Sequence, residues 1–139
     1  MQVDKARSFI GRFSHQSDLS ESLTLLCKKE SIRLGVFSVI GAVTSAKLGY
    51  YDQESQFYVT CVDLAEKLEI TSCAGNISLK ENEIFIHAHI TLADHSGHCY
   101  GGHLMPGSSI FAAEYFIQEL EGEELHRVFD RQTGLSLWA

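Results

Sequence analysis

Three histidines, His87, His89 and His103, lie in the stretch Ile84 to Leu104, IFIHAHITLADHSGHCYGGHL, at a spacing that strand pairing would convert into one cluster. Three neutral imidazoles converging at about 2.0–2.1 Å from a divalent ion make a metal site with a fourth position open to water or substrate. Zinc is the first expectation, and nickel, copper or iron also accept imidazole. The competing reading is three solvated or hydrogen-bonded histidines with no ion between them.

Strand periodicity supplies the positioning. Ile84, Ile86, Ala88, Ile90 and Leu92 are uniformly apolar, while the intervening positions include His87, His89 and Thr91, so the histidines face away from the core. Asp94-His95-Ser96-Gly97-His98 reads as a hairpin with a three-residue loop, His95 to Gly97, in which glycine supplies the left-handed conformation. Asp94 then faces His98, and His103 falls directly opposite His89 with His87 on the diagonal, within about 7–8 Å. A two-residue loop would turn His103 onto the isoleucine face and send Tyr100 and Leu104 to the polar side, so burial favours the longer loop. Gly101 and Gly102 offer a place for a bulge that would shift this parity, although they also remove side chains that would crowd the three rings.

The remaining histidines read as surface residues: His95 in the loop, His98 on the opposite face, and His15 and His126 remote in sequence. Cys27, Cys61, Cys73 and Cys99 show no CxxC spacing and are expected as reduced, mostly buried thiols. Only Cys99 shares the histidine face, nearer the turn than His103 and poorly placed to ligate.

With 139 residues, 45% hydrophobic content and one proline, residues 1–139 are expected to form a single domain with its own core. The N-terminus MQVDKARSF lacks an apolar signal core and no run approaches a membrane span of about 18 apolar residues, so a cytoplasmic location is expected. Charge is uneven. Residues 1–50 hold seven Lys or Arg against four acids, a balance of +3, and residues 51–139 hold four against fourteen, a balance of −10. The total of −7 repels nucleic acid, and the basic candidates for a DNA face reduce to Arg7, Arg12, Lys28, Lys29, Arg33 and Lys47.

The rest of the chain predicts an α+β fold, a mostly antiparallel β-sheet packed with one main helix. A strand is expected at Ala6 to Phe13. A helix follows from about Asp18 to Glu30, with Asp18 and Glu21 as a capping box, Leu19, Leu23, Leu26 and Cys27 as an apolar stripe, and Lys28 and Lys29 at the negative end. Short strands are expected at Gly35 to Val43, Ala46 to Tyr51, Phe57 to Val62 and Leu68 to Ser78, their succession implying antiparallel pairing. After the histidine hairpin, Met105-Pro106-Gly107 breaks the chain before a long strand at Ser109 to Leu120. Glu123 to Phe129 reads as a short helical segment and Leu135 to Trp138 as a last strand.

Ile40-Gly41-Ala42-Val43, Leu48-Gly49-Tyr50-Tyr51-Asp52, Leu68-Glu69-Ile70, Gly75-Asn76-Ile77-Ser78, His87-Ala88-His89 and Gly101-Gly102-His103-Leu104 occur in this order between Phe9 and Leu120. Together they resemble the prokaryotic PPC domain, named for plants and prokaryotes conserved. The resemblance implies an α+β domain assembled as a homotrimer, with His87, His89 and His103 holding the metal. Glu69 and Glu114 fall on motif strands where an acid is often seen. In plants the same domain accompanies an AT-hook, an Arg-Gly-Arg-type segment that enters the minor groove, and many bacterial relatives are called DNA-binding for that reason. This chain carries no such segment, and the plant domains generally lack the histidine set, so metal binding and DNA association are separable.

The leading expectation is a homotrimeric PPC-domain protein with a three-histidine metal site, zinc first, and an unassigned physiological role. The alternative is a binding or transcription-regulatory module acting through protein partners or DNA. A metal-dependent hydrolase is the third reading, since an open coordination position lowers the pKa of bound water towards about 7, but it needs a general base and a substrate pocket. The nearest candidates by family motif, Glu69 and Glu114, are each expected as a surface or interface carboxylate ahead of a proton carrier.

Overall fold

The computed structural model describes all 139 residues. Ten strands and one helix follow in chain order: β1 (Asp4–Arg12), α1 (Leu19–Glu30), β2 (Gly35–Val43), β3 (Ala46–Asp52), β4 (Phe57–Leu64), β5 (Leu68–Lys80), β6 (Glu83–Ala93), β7 (Cys99–Leu104), β8 (Ile110–Glu121), β9 (His126–Phe129) and β10 (Ser136–Trp138). All strands share one sheet ordered β1-β8-β2-β5-β6-β7-β3-β4, with β9 joining the end of β5 and β10 joining β9. No helix is long and apolar enough to cross a membrane.

Two departures from expectation concern connectivity. Pairing is antiparallel throughout except between β5 and β9, but β1 closes on β8 and β2 lies between β8 and β5, so several neighbours are far apart in sequence. The segment read as helical, Glu123 to Phe129, contains strand β9 instead. β2 ends its pairing with β5 at Gly35 opposite Ile77, and the edge of β5 left free beyond that point takes His126 and Arg127 against Leu79 and Lys80. Unpaired backbone at a sheet edge is a stronger local demand than the weak helical preference of this segment.

Helix α1 begins where its sequence signals say. The Asp18 carboxylate accepts a hydrogen bond from the Glu21 backbone N–H at 2.9 Å, and its second oxygen accepts from Gly107 and Ser108 at 2.7 and 3.1 Å. One carboxylate therefore caps the helix and ties it to the turn that precedes β8. Leu19, Leu23 and Cys27 are buried against the sheet, joined by the partly buried Leu26. The opposing sheet face contributes Val39, Val43, Leu68, Ile70, Ala88, Ile90, Leu92, Ile110 and Ile117, each at most 4% exposed. Burying a side chain of this size contributes about 1.5–3 kcal/mol, which fixes which face of β6 turns inward.

Of the four thiols, Cys27 and Cys73 are buried and Cys61 and Cys99 are exposed, so the expectation of mostly buried cysteines holds for half of them.

Candidate metal centre

The hairpin between β6 and β7 forms with the expected loop. The Asp94 N–H donates to the His98 carbonyl at 3.0 Å, the His98 N–H donates to the Asp94 carboxylate at 3.0 Å, Gly97 donates to the Asp94 carbonyl at 2.9 Å, and Gly97 has φ +81°. The register runs from Ala93 opposite Cys99 to His89 opposite His103 without interruption, so Gly101 and Gly102 host no bulge. Gly102 serves a different purpose. A Cβ there would lie 2.8 Å from the Gly49 carbonyl oxygen, so glycine is what allows β7 to approach β3.

Parity then delivers the imidazoles. His87 and His89 point to the outer face of β6, Ala88 and Ile90 to the core, and His103 joins the two histidines from β7. Ring centroids stand 5.2 Å apart for His87 and His89, 5.0 Å for His87 and His103, and 5.8 Å for His89 and His103. One ligand atom from each ring lies within 4.8 Å of the others. Nitrogens bound to one tetrahedral ion at about 2.0–2.1 Å stand roughly 3.3 Å apart, so small side-chain rotations would close the set.

Electrostatics suit a ligand role. Burial, followed by the charges of His103, Arg127 and His89, lowers the His87 pKa to about 4. Burial, then His89 and Arg127, also lowers that of His103. Both rings are therefore neutral near pH 7, the form in which imidazole binds a metal. The Nδ1 of His103 is buried without any hydrogen-bond partner, the only such side-chain atom in the chain. An unpaired buried polar atom costs about 1–3 kcal/mol, which coordination would offset.

The surroundings include residues that sequence reading missed. Tyr58 on β4 lies over His103 at 4.8 Å between centroids, and a cleft of about 380 Å³ opens beside the pair, lined also by Phe85, Lys80, Arg127 and Leu137. Arg127 comes from β9, the strand read as helix, and its four residues His-Arg-Val-Phe carry no apolar–polar alternation that would have signalled a strand. Its guanidinium donates to Ser78 Oγ at 2.9 Å, Asn76 Oδ1 at 2.9 Å and the Ser136 carbonyl at 3.2 Å.

The other candidate residues lie elsewhere. Glu69 is exposed on β5 opposite Ala93, and Glu114 is exposed on β8 between Arg12 and Ile40; neither lines the cleft, whose lining contains no Asp or Glu from this chain. His15, His95, His98 and His126 are exposed, as expected. His15 meets the Phe111 carbonyl, His98 sits 3.4 Å from Asp94, and His126 sits 3.5 Å from Glu124.

Several known proteins share this architecture. A metal-containing protein of Archaeoglobus fulgidus is 40% identical, with TM-score 0.94 and coverage of 99% of this chain and 96% of its own. A plant- and prokaryote-conserved (PPC) protein of Pyrococcus horikoshii is 35% identical, with TM-score 0.94 and coverage of 99% and 94%. A Bacteroides thetaiotaomicron protein with a provisional DNA-binding name is 23% identical, with TM-score 0.87 and coverage of 99% and 96%, a likeness of fold alone. Among curated proteins, the bifunctional protein GlmU of a Synechococcus strain is 31% identical over 119 residues. That match takes in 84% of this chain, yet the chain spans only 17% of the relative's length. Residues 2–121 match the model of the Plants and Prokaryotes Conserved (PCC) domain, and the chain belongs to that family.

Proposed function

We propose that this PCC-domain protein binds a divalent transition metal, zinc first, through His87, His89 and His103, and does so as a homotrimer. The observation that carries the metal is the convergence of three imidazoles within 4.8 Å, one of them with a buried, unpartnered nitrogen. The metal-containing relative from Archaeoglobus fulgidus, alike over nearly the whole chain, adds support. A bound ion would supply Lewis acidity and one open position. With no acid in the cleft to serve as base, binding is the function that the residues support, ahead of hydrolysis.

Assembly rests on an apolar band across the same outer face. Ile10, Ile40 and Phe116 are 84%, 58% and 45% exposed, and Ile10 faces Phe116 across the β1–β8 ladder. Adjacent exposed apolar side chains of this size favour association with further copies, as the family resemblance implies. DNA association gains no support from charge. Arg7, Lys28, Lys29, Arg33 and Lys47, five of the six candidate cations, are each paired with a carboxylate.

Elemental analysis of untagged protein tests the site: one metal per chain is expected, falling to background in His87→Ala and His103→Ala. Equal metal content in all three proteins refutes it. Light scattering coupled to size exclusion tests the assembly, which a purely monomeric species at micromolar concentration refutes.

A further inference from the structure

The cleft beside the three histidines has a charge character opposite to that of the chain. The protein carries 18 acidic residues and a net charge of −7, yet the thirteen residues lining the cleft include Lys80 and Arg127 and no Asp or Glu. Arg127 is partly buried, and none of its partners is charged: Ser78, Asn76 and the Ser136 carbonyl accept three of its N–H groups. A guanidinium has five, so one remains on each terminal nitrogen. No carboxylate forms an ion pair with it. A part-buried cation without a counter-ion is costly, and arginine forks match carboxylate oxygens two to two.

Around this group the walls are apolar. Arg127 lies over the Phe85 ring at 5.0 Å and the Trp138 ring at 5.5 Å, and Tyr51, Phe57, Tyr58, Leu135 and Leu137 line the same space. At about 380 Å³ the cleft stands at the small end of ligand-binding pockets. We propose that it is a binding site for a small carboxylate with an aromatic or aliphatic body, its carboxylate held by Arg127 and its body by the aromatic walls. The inference rests on the metal reading only for orientation: an ion held by three neutral ligands would keep its full positive charge at the floor of the cleft that His87, His103 and Arg127 line together.

Trp138 is the only tryptophan and its ring centre lies 5.5 Å from the Arg127 guanidinium, so its fluorescence reports on what that guanidinium binds. Benzoate, its neutral analogue benzamide and inorganic phosphate are titrated into the 139-residue protein, with and without zinc. Benzoate is expected to change the emission saturably, with benzamide and phosphate at least tenfold weaker. Arg127→Gln is expected to lose at least tenfold in benzoate affinity while keeping the wild-type zinc content, and Arg127→Lys to fall between.

Equal responses to benzoate and benzamide reduce the cleft to an aromatic slot, and a phosphate response as strong as that of benzoate removes the carboxylate assignment. Either overturns the proposal without depending on a variant that fails to fold. Unchanged benzoate affinity in both Arg127 variants assigns Arg127 only as a strut between β9 and β5, which also overturns it. Wild-type protein that binds no divalent transition metal refutes the metal reading instead, and the titration without zinc then decides the carboxylate site by itself.

Discussion

Removing one imidazole gives a prediction that thermal unfolding can measure. An ion that binds only the native state stabilises it by RT ln(1 + [L]/Kd), about 2.7 kcal/mol when free zinc is one hundred times Kd. Unfolding entropy near 2.1 cal/mol/K per residue gives roughly 0.3 kcal/mol per degree for a chain of 139 residues, so zinc should raise Tm by about 9 °C. Residues that merely orient a ligand cost 10–100-fold in metal affinity when lost, so loss of His103 itself should cost at least about 100-fold. At the same zinc concentration His103→Ala then retains only about 0.4 kcal/mol of stabilisation, a rise of about 1–2 °C. Calorimetry on chelator-stripped, untagged protein makes the comparison, with the exposed Cys61 and Cys99 changed to serine in every sample to remove competing thiolates. An equal zinc-dependent rise in His103→Ala, or none in the parent protein, would refute the shared coordination sphere.

Acidification should destabilise the metal-free protein. The unfolded chain takes up a proton at His87 near pH 6.5, which the native ring resists until about pH 4, so native stability falls as pH drops through that window, by up to about 1.4 kcal/mol per pH unit from this residue. His103 acts in the same direction. Urea midpoints between pH 6.5 and 4.5 should therefore flatten in His87→Asn, and an unchanged slope contradicts the assignment. Asp18→Ala removes the helix cap and leaves Gly107 and Ser108 without their acceptor, an expected loss of about 2–4 kcal/mol by urea denaturation, with zinc content unchanged; a loss below about 0.5 kcal/mol contradicts the coupling. A thiol reagent should modify two cysteines in the native state, Cys61 and Cys99, and reach Cys27 and Cys73 only on unfolding, because burial pushes those two thiols up to about 12. Ile10→Asp should shift the assembly towards monomer in light scattering, and an unchanged mass removes the outer face of β1 from the interface.

The imidazole cluster was legible because every step to it is local. Alternation along β6 sets the face, the Asp94 to His98 turn sets the register, and together they place His103 opposite His89 within a seventeen-residue stretch. The capping signals of α1 were readable for the same reason. What escaped was set by distant pairing. The place of β2 between β8 and β5 depends on which edges remain available after collapse, and nothing within Gly35 to Val43 names a partner. Arg127 was missed because β9 has no strand character strong enough to stand alone; it becomes a strand only because β5 runs past the end of β2. Glu69 and Glu114 are exposed on β5 and β8, in line with the reading of surface or interface carboxylates, and they lie away from the cleft because motif position says nothing about three-dimensional proximity.

The floor and the wall of the cleft come from separable stretches of chain. The histidines lie within the family-matched residues 2–121, whereas Arg127, Leu135, Leu137 and Trp138 belong to the β9–β10 arm that follows. That arm is held to β5 by backbone pairing at Leu79 and Lys80 and by Arg127 on Ser78 and Asn76, while the imidazole spacing is set by the β6–β7 register. Recharging the arm at Arg127 would therefore shift the protonation of His87 and His103 without altering that register. Grafting the corresponding arm from a relative is therefore expected to change the lining of the cleft while leaving in place the imidazole spacing that the β6–β7 hairpin sets.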